Sequence, residues 1–236
     1  MSTQTPRTRD AILLEGVCRT HPGAETPTLE RLDLRVEEGE FVALTGESGS
    51  GKSTIIALCS ARQQADAGSV SILGRDITRI GARRRTELRR RVVTIFQEYE
   101  LLPDRTVREN VEFTLEINGV AAGERRRRVD EALELVGLPS RRNALPGQLS
   151  GGEQQRVSVA RAIALRPAII LADEPTGNLD EENGELIFDL FTTLNQTGTT
   201  VLVATHDVNM VTRLGLRTLR IHEGRVRTYR RHQAAR

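Results

Sequence analysis

Residues 41–53, FVALTGESGSGKS, restrict what this chain can fold into more than any other stretch. FVALT is an apolar run of strand length, GESGSG is a glycine-rich loop, and KSTIIALCSAR reads as a helix. Strand, loop and helix in that order form one α/β unit. Residues 46–53 also match G-x-x-x-x-G-K-[ST] at every fixed position. Gly46, Gly49 and Gly51 let the backbone curl until successive N–H groups point inward, which suits phosphate oxygens. The helix start adds its partial positive charge. Ser48, Ser50 and Thr54 lie in the same run and are read with it as phosphate-binding positions. Lys52 is expected to reach the β- and γ-phosphates of a nucleotide, and Ser53 to hold Mg²⁺.

Lys and Arg together number 34, and Lys52 is the one lysine among them. Arginine serves as the cation everywhere else. The exception falls where a compact ammonium on a thin stem fits and a planar, five-donor guanidinium does not.

Ahead of the loop, LERLDLRV (29–36) alternates apolar and charged residues, the pattern of a half-exposed strand. Beyond it, Gly68 and Gly74 bracket SVSIL, and VVTIF (92–96), AIILA (168–172) and TVLVA (200–204) are short apolar runs. A last pair of strands is expected to straddle residues 223–224. Apolar runs alternating with helices predict an α/β fold with a mostly parallel sheet buried on both faces. The middle of the chain differs: RTVRENVEFTLEI, GERRRRVDEALELVGL and GGEQQRVSVARAIAL read as helices punctuated by Pro103, Pro139, Pro146 and Pro167. One domain over 1–236 is expected, with an α/β core from 11–97 and 163–228 and an inserted helical subdomain at 98–162. Residues 1–10 read as a frayed polar end.

Two carboxylates close one of the apolar runs. In AIILADEP (168–175), Asp173 is placed to bind Mg²⁺ and Glu174 to polarise an attacking water as general base. Taken alone, a surface strand end looks the same; the pair gains weight from the phosphate loop. His206 follows TVLVAT, and an imidazole at a strand's carboxyl end in an open α/β sheet lies on the ligand side. A helix-capping THD with a solvent-facing histidine is the other reading of that site. Gln97 ends VVTIF, and its amide suits a metal-bound water. LSGGEQQR (149–156) makes a second anion site, with Ser150 capping a helix whose first N–H groups stand free beside Gly151 and Gly152. Two phosphate-binding helix starts for one nucleotide suggest that a second copy of the chain completes each site.

Composition narrows the partners. The 236 residues carry 34 basic and 32 acidic side chains, which gives no ground for bulk nucleic-acid binding. Hydrophobic residues make up 38%, and the 20 glycines bring the total near the globular average, against disorder or rods. No apolar run approaches the roughly 18 residues of a bilayer span, and no leader is read in the polar opening. Cys18 and Cys59 make neither a disulfide framework nor a metal spacing, so a cytosolic compartment is expected. Arginines crowd at 83–91, at 125–128 and after Arg220. Such clusters suit anionic head groups or acidic loops of a partner, or else a solvated face. For 125–128 the amphipathic run VDEALELVGL favours the solvated face.

GESGSGKST, Gln97, LSGGEQQR, ILADEP, GNLD (177–180) and THD, in this order, resemble the motifs of ABC-type ATPases over roughly residues 11–228. The resemblance implies that fold, with an N-terminal antiparallel β part. It also implies a head-to-tail, ATP-induced homodimer with two sandwiched ATP molecules. Each ATP would meet Lys52 and Ser53 of one copy and Ser150 and Gly152 of the other. Glu174 would be the general base, His206 the switch residue and Asp180 part of the dimer contact. Where the family usually has an aromatic residue to stack on adenine, CRTHPG places His21, whose ring offers less area. EPTGNLD is similar to the group of LolD, MacB and FtsE types. GRDITRI (74–80), LLPDRTVRENV (101–111) and TVLVATHD (200–207) look most like the cell-division FtsE type. That implies an integral membrane partner of the FtsX type and a place on the cytoplasmic face of the inner membrane through that partner. It further implies an ATP cycle coupled to cell-wall hydrolase activation, with the division machinery within reach. A LolD- or MacB-type transporter subunit is the alternative. Family members acting on DNA or ribosomes carry long insertions or a second cassette, for which this chain has no room, so no nucleic-acid partner is expected.

Overall fold

The computed structural model describes residues 9–229. Two sheets are built in sequence. β1 (Asp10–Arg19) and β2 (Leu29–Glu37) pair antiparallel, and the chain then crosses into β3 (Phe41–Gly46), which belongs to the second sheet. From residue 32 onward β2 buries Leu32, Leu34 and Val36 and exposes the residues between them, as the alternation predicts. α1 (Lys52–Cys59) follows the phosphate loop, and β4 (Ala67–Ile72) and β5 (Arg75–Asp76) return to the first sheet, in the order β2-β1-β4-β5.

α2 (Ala82–Arg89) leads to β6 (Val92–Phe96), and the helices α3 (Val107–Ile117), α4 (Ala122–Leu135) and α5 (Gly151–Ala164) come next. Thr106 starts α3 with a reciprocal capping box: its hydroxyl accepts from Glu109 N and its N–H donates to the Glu109 carboxylate. The chain re-enters the second sheet through β7 (Ile169–Asp173), α6 (Glu181–Gln196), β8 (Thr200–Ala204), α7 (Val208–Arg213), β9 (Arg217–His222) and β10 (Arg225–Tyr229). That sheet has the order β10-β9-β3-β8-β7-β6, parallel except for β10 on β9.

The parallel strands separate two cores. On β7, Ile169 and Leu171 pack with α1 and the antiparallel sheet, while Ile170 and Ala172 pack with α5 and α6. β8 divides in the same way, Leu202 to one side and Val201 and Val203 to the other. A strand whose successive residues serve opposite cores reads as a continuous apolar run, which is why these strands were visible in the sequence. Phe41, Phe188 and Phe191 form an aromatic cluster on the α6 side, with ring centroids 6.2–6.5 Å apart.

One expectation needs correction. Asp10 is not part of a frayed end but the first residue of β1, and residues 1–8 lie outside the described residues. β1 itself has no clean period-2 signature, because its pairing register shifts between Leu14 and Val17, at the exposed Glu15 and at Gly16. The arginine-rich 83–91 stretch contains a helix, α2, that buries only Leu88. Three of the arginines of α4 have acidic partners within the protein: Arg125 faces Glu112 and Glu116, and Arg127 and Arg128 both reach Glu124. In α2 the one ion pair recorded is Arg83–Glu87. Of the cluster after Arg220, Arg225 pairs with Glu30 at 3.1 Å, and residues 230–236 lie outside the described residues.

Burial decides the reactivity of the two thiols. Cys59 is wholly buried in α1, and its thiol is pushed up to about 12 by loss of solvation. Cys18 is partly exposed on β1. A thiol reagent should therefore modify one cysteine, Cys18, in the native protein and the second only after denaturation. Rapid modification of both in the native state would contradict this packing.

Candidate functional site

Strand register assembles the site. Along the second sheet, Leu44 pairs with Ala204, Ala204 with Asp173, and Asp173 with Phe96. These four residues form one row: Ala204, Asp173 and Phe96 are the last residues of their strands, and Leu44 lies two short of the end of β3. The chain beyond the row therefore emerges at a single edge: the phosphate loop from β3, His206 from β8, Glu174 from β7 and Gln97 from β6. Parallel strands put such ends together, and the ligand crevice of an open α/β sheet lies there.

The phosphate loop is shaped by close approach. Gly51, the residue before α1, has φ +107°, and a Cβ there would meet Leu29 Cδ2 at 2.7 Å. Lys52 is buried to 8% exposure, and its ammonium donates to the carbonyls of Gly46 (3.0 Å) and Glu47 (3.2 Å). Its third direction faces Glu174 Oε1 at 3.5 Å. The ammonium is thus met by three oxygens, two as hydrogen-bond acceptors and one as an ion-pair partner, positions that phosphate oxygens would take over. Ser48, Gly49 and Ser53 are exposed, Gly46 and Ser50 are half-buried, and Thr54 is buried.

Glu174 sits between two cations or donors. Its Oε2 lies 2.8 Å from His206 Nδ1 and also accepts from the His206 N–H at 3.3 Å. Its backbone has φ +47°, a left-handed conformation that costs a non-glycine residue about 1–3 kcal/mol. The bond from Glu174 N to Ala204 O (2.9 Å) helps hold it there. The strain turns the chain sharply off the end of β7 and aims the carboxylate back at Lys52.

Ser53 Oγ donates to Asp173 Oδ1 at 3.1 Å. Two oxygens at that separation match neighbouring corners of an octahedron with bonds of about 2.1 Å, so this pair fits Mg²⁺ with water filling the remaining positions. Burial, first of all, holds the Asp173 carboxyl above its usual range, and the Glu174 charge acts in the same sense. The Ser53 hydroxyl and Lys52 oppose them. A divalent cation at this spot would reverse the balance.

The other expected residues fall into separate groups. Gln97 is exposed and its amide donates to Asn178 Oδ1 at 3.0 Å; it makes no recorded hydrogen bond to Ser53 or Asp173. His21 Nε2 lies 3.0 Å from Thr54 Oγ1, which puts the imidazole over the start of α1. Ser150 caps α5 through a reciprocal box with Glu153, whose carboxyl is held low chiefly by the Ser150 N–H. Ser150 is exposed and Gly151 half-buried. Gly152 is buried, because a Cβ there would lie 2.1 Å from Asn183 Oδ1. Asp180 caps α6, accepting from Asn183 N at 2.8 Å, and Asn183 in turn accepts from Arg156 at 3.1 Å. The start of α5 and the GNLD turn are therefore joined within the chain, while no recorded hydrogen bond links Ser150 to Lys52 or Glu174.

Asn178, Asn183 and Gln155 were not singled out from the sequence. For Gln155 a signal existed: with Gly152 and Val159 it falls on the face of α5 that the structure buries, a polar residue at core spacing.

The family described as ABC transporter matches residues 29–177. The chain is 45% identical to the cell division ATP-binding protein FtsE of Escherichia coli K12 over 90% of its own length and 96% of that protein. It is 42% identical to FtsE of Mycobacterium tuberculosis, over 91% and 94% of the two chains. A dimeric ATP-binding cassette, MJ0796, solved in a post-hydrolysis state with ADP and Pi, superposes with a TM-score of 0.84 at 38% identity, covering 93% of this chain and 98% of that one.

Lys52→Arg keeps the charge but asks a guanidinium to make three convergent bonds in a space filled by an ammonium. It should lower ATP hydrolysis by about 10²-fold or more, as loss of a placed donor to developing charge does. Phosphate release measured on a folded variant decides; near-parent activity would refute the reading.

Proposed function

This chain belongs to the ABC transporter family and is one of its ATP-hydrolysing subunits, and we propose that its ATP cycle drives an FtsE–FtsX-type membrane complex in cell division. The near full-length likeness to FtsE of two different bacteria is the observation that carries the division reading. The chemistry rests on the meeting of Lys52, Glu174 and His206 at one strand edge.

In this reading ATP enters beside β3, and its β- and γ-phosphate oxygens replace the Gly46 and Glu47 carbonyls around Lys52. The N–H groups of the loop from Gly46 to Ser53 and the start of α1 share the phosphate charge. His21 lies over the start of α1 and offers its ring to adenine. Ser53 and Asp173 would hold Mg²⁺, which would supply positive charge to offset the charge of the phosphates. Lys52 is then drawn from Glu174, whose carboxylate is left to take the proton of an attacking water. His206 keeps that carboxylate aimed and extends an exposed ring toward the γ-phosphate. Gln97, on the neighbouring strand, responds to the same phosphate and to its metal.

The second half of each site comes from another copy, whose Ser150, Gly151 and Gly152 close over the γ-phosphate at the start of α5, with Asp180 at the contact. The homodimer is head-to-tail, and ATP induces it. No helix among the described residues is long and apolar enough to cross a membrane. The spanning segments are assigned to a separate FtsX-type partner, which holds the subunit at the cytoplasmic face of the inner membrane. Through that partner the ATP cycle reaches the cell-wall hydrolases and the division machinery.

Affinity purification of the tagged full-length chain from detergent-solubilised membranes should recover a membrane protein with few spans and one large external domain. Recovery of a lipoprotein-release or exporter permease instead would overturn the division assignment while leaving the ATPase chemistry intact.

A further inference from the structure

We propose that Gln155 is a positioning residue that ties the start of α5 to the hydrolytic carboxylate. Its side chain is wholly buried one turn into α5. Its Nε2 donates to the carbonyl of Pro175 at 2.6 Å and to that of Phe96 at 3.3 Å. Pro175 directly follows Glu174, and Phe96 directly precedes Gln97 and pairs with Asp173 across the ladder. One primary amide therefore links the helix that begins at Ser150 to both strand exits that carry the reacting groups.

The chemistry of the amide fixes its role. The reverse orientation would press an amide oxygen against two carbonyl oxygens, so the surroundings require the nitrogen to face them. In that orientation Oε1 has no hydrogen-bond partner among the described residues. A buried acceptor without a partner is unfavourable, and a hydrophobic side chain would avoid it. Core packing alone gives no reason for glutamine here; two protons aimed at two backbone carbonyls do. Without them the Pro175 carbonyl loses a partner in a buried setting and the Phe96 carbonyl in a part-buried one. The turn that holds Pro175 is strained at Glu174 (φ +47°) and braced on its other side by Ala204 O and His206. Gln155 supplies the brace from the α5 side. A shift of the α5 start, where Ser150 and Gly151 stand exposed or half-exposed, moves Glu174 and Gln97 through these two bonds.

The inference rests on the reading of Glu174 as general base. The test is Gln155→Met in the full-length chain, which keeps the volume and removes both donors. Steady-state hydrolysis and binding of a fluorescent ATP analogue are measured together. KM and nucleotide affinity should stay within about twofold of the parent, while kcat falls about ten- to a hundredfold, the scale of a misplaced reacting group. A folded variant with parent kcat overturns the proposal. So does a variant whose kcat and nucleotide affinity fall together, since that marks a role in general stability. If Gln155→Met does not fold, Gln155→Asn, which withdraws the amide by one methylene, is judged by the same split. Failure of both to fold assigns Gln155 to stability and ends the proposal. Glu174→Gln is assayed alongside: if it retains hydrolysis, the reading of the base fails, whatever Gln155 does.

Discussion

The parallel ladder of the six-stranded sheet is the constraint from which the rest of the molecule follows. Its register puts Leu44, Ala204, Asp173 and Phe96 in one row, and each motif begins within two residues of that row. Slipping one strand by a single residue would turn its apolar set to the wrong core and carry its motif out of reach. Register is well enforced here because both faces are buried. Ile169 and Leu171 serve one core, Ile170 and Ala172 the other, and each fully buried Ile or Leu contributes about 1.5–3 kcal/mol. The hydrophobic effect thus does more than stabilise the domain. It holds four chain exits in one plane so that two carboxylates, an ammonium and an imidazole can meet.

Charge at that edge is arranged to receive an anion. Lys52 is shared among two backbone carbonyls and Glu174, and Asp173 is held partly against its own ionisation by burial. Phosphates and a divalent cation would relieve both conditions together, giving Lys52 a full negative partner and Asp173 a positive one. In the proposed reading the same exchange would separate Lys52 from Glu174, so that binding of substrate and release of the base would be a single event. The α5 start is organised differently. Its bonds run to Asn183, Glu153 and the strand exits, while Ser150 is exposed and Gly151 half-buried.

Much of this was legible in the sequence, for identifiable reasons. β3, β7 and β8 were visible because burial on both faces writes a run of apolar residues that needs no phase. The phosphate loop was visible because backbone curvature demands glycine at fixed spacing. β1 was hidden by its bulge, which breaks period 2 at Glu15 and Gly16. β5, at two residues, is too short to carry a pattern. α2 was obscured by arginines, since a helix that buries only Leu88 has almost no apolar stripe. The pairings of Gln97 with Asn178 and of Gln155 with Phe96 and Pro175 join residues 81, 59 and 20 positions apart. They depend on how β6, β7 and α5 pack, which no local spacing encodes.

The central claim is that one chain holds half of each ATP site and that Glu174 supplies the base. Light scattering of the Glu174→Gln chain, with quantification of its bound nucleotide, tests both parts at once. At saturating MgATP the mass should double, with two unhydrolysed ATP molecules per dimer, and ADP should leave it monomeric. A chain that stays monomeric at saturating ATP, or that turns its nucleotide over at the parent rate, would contradict the account.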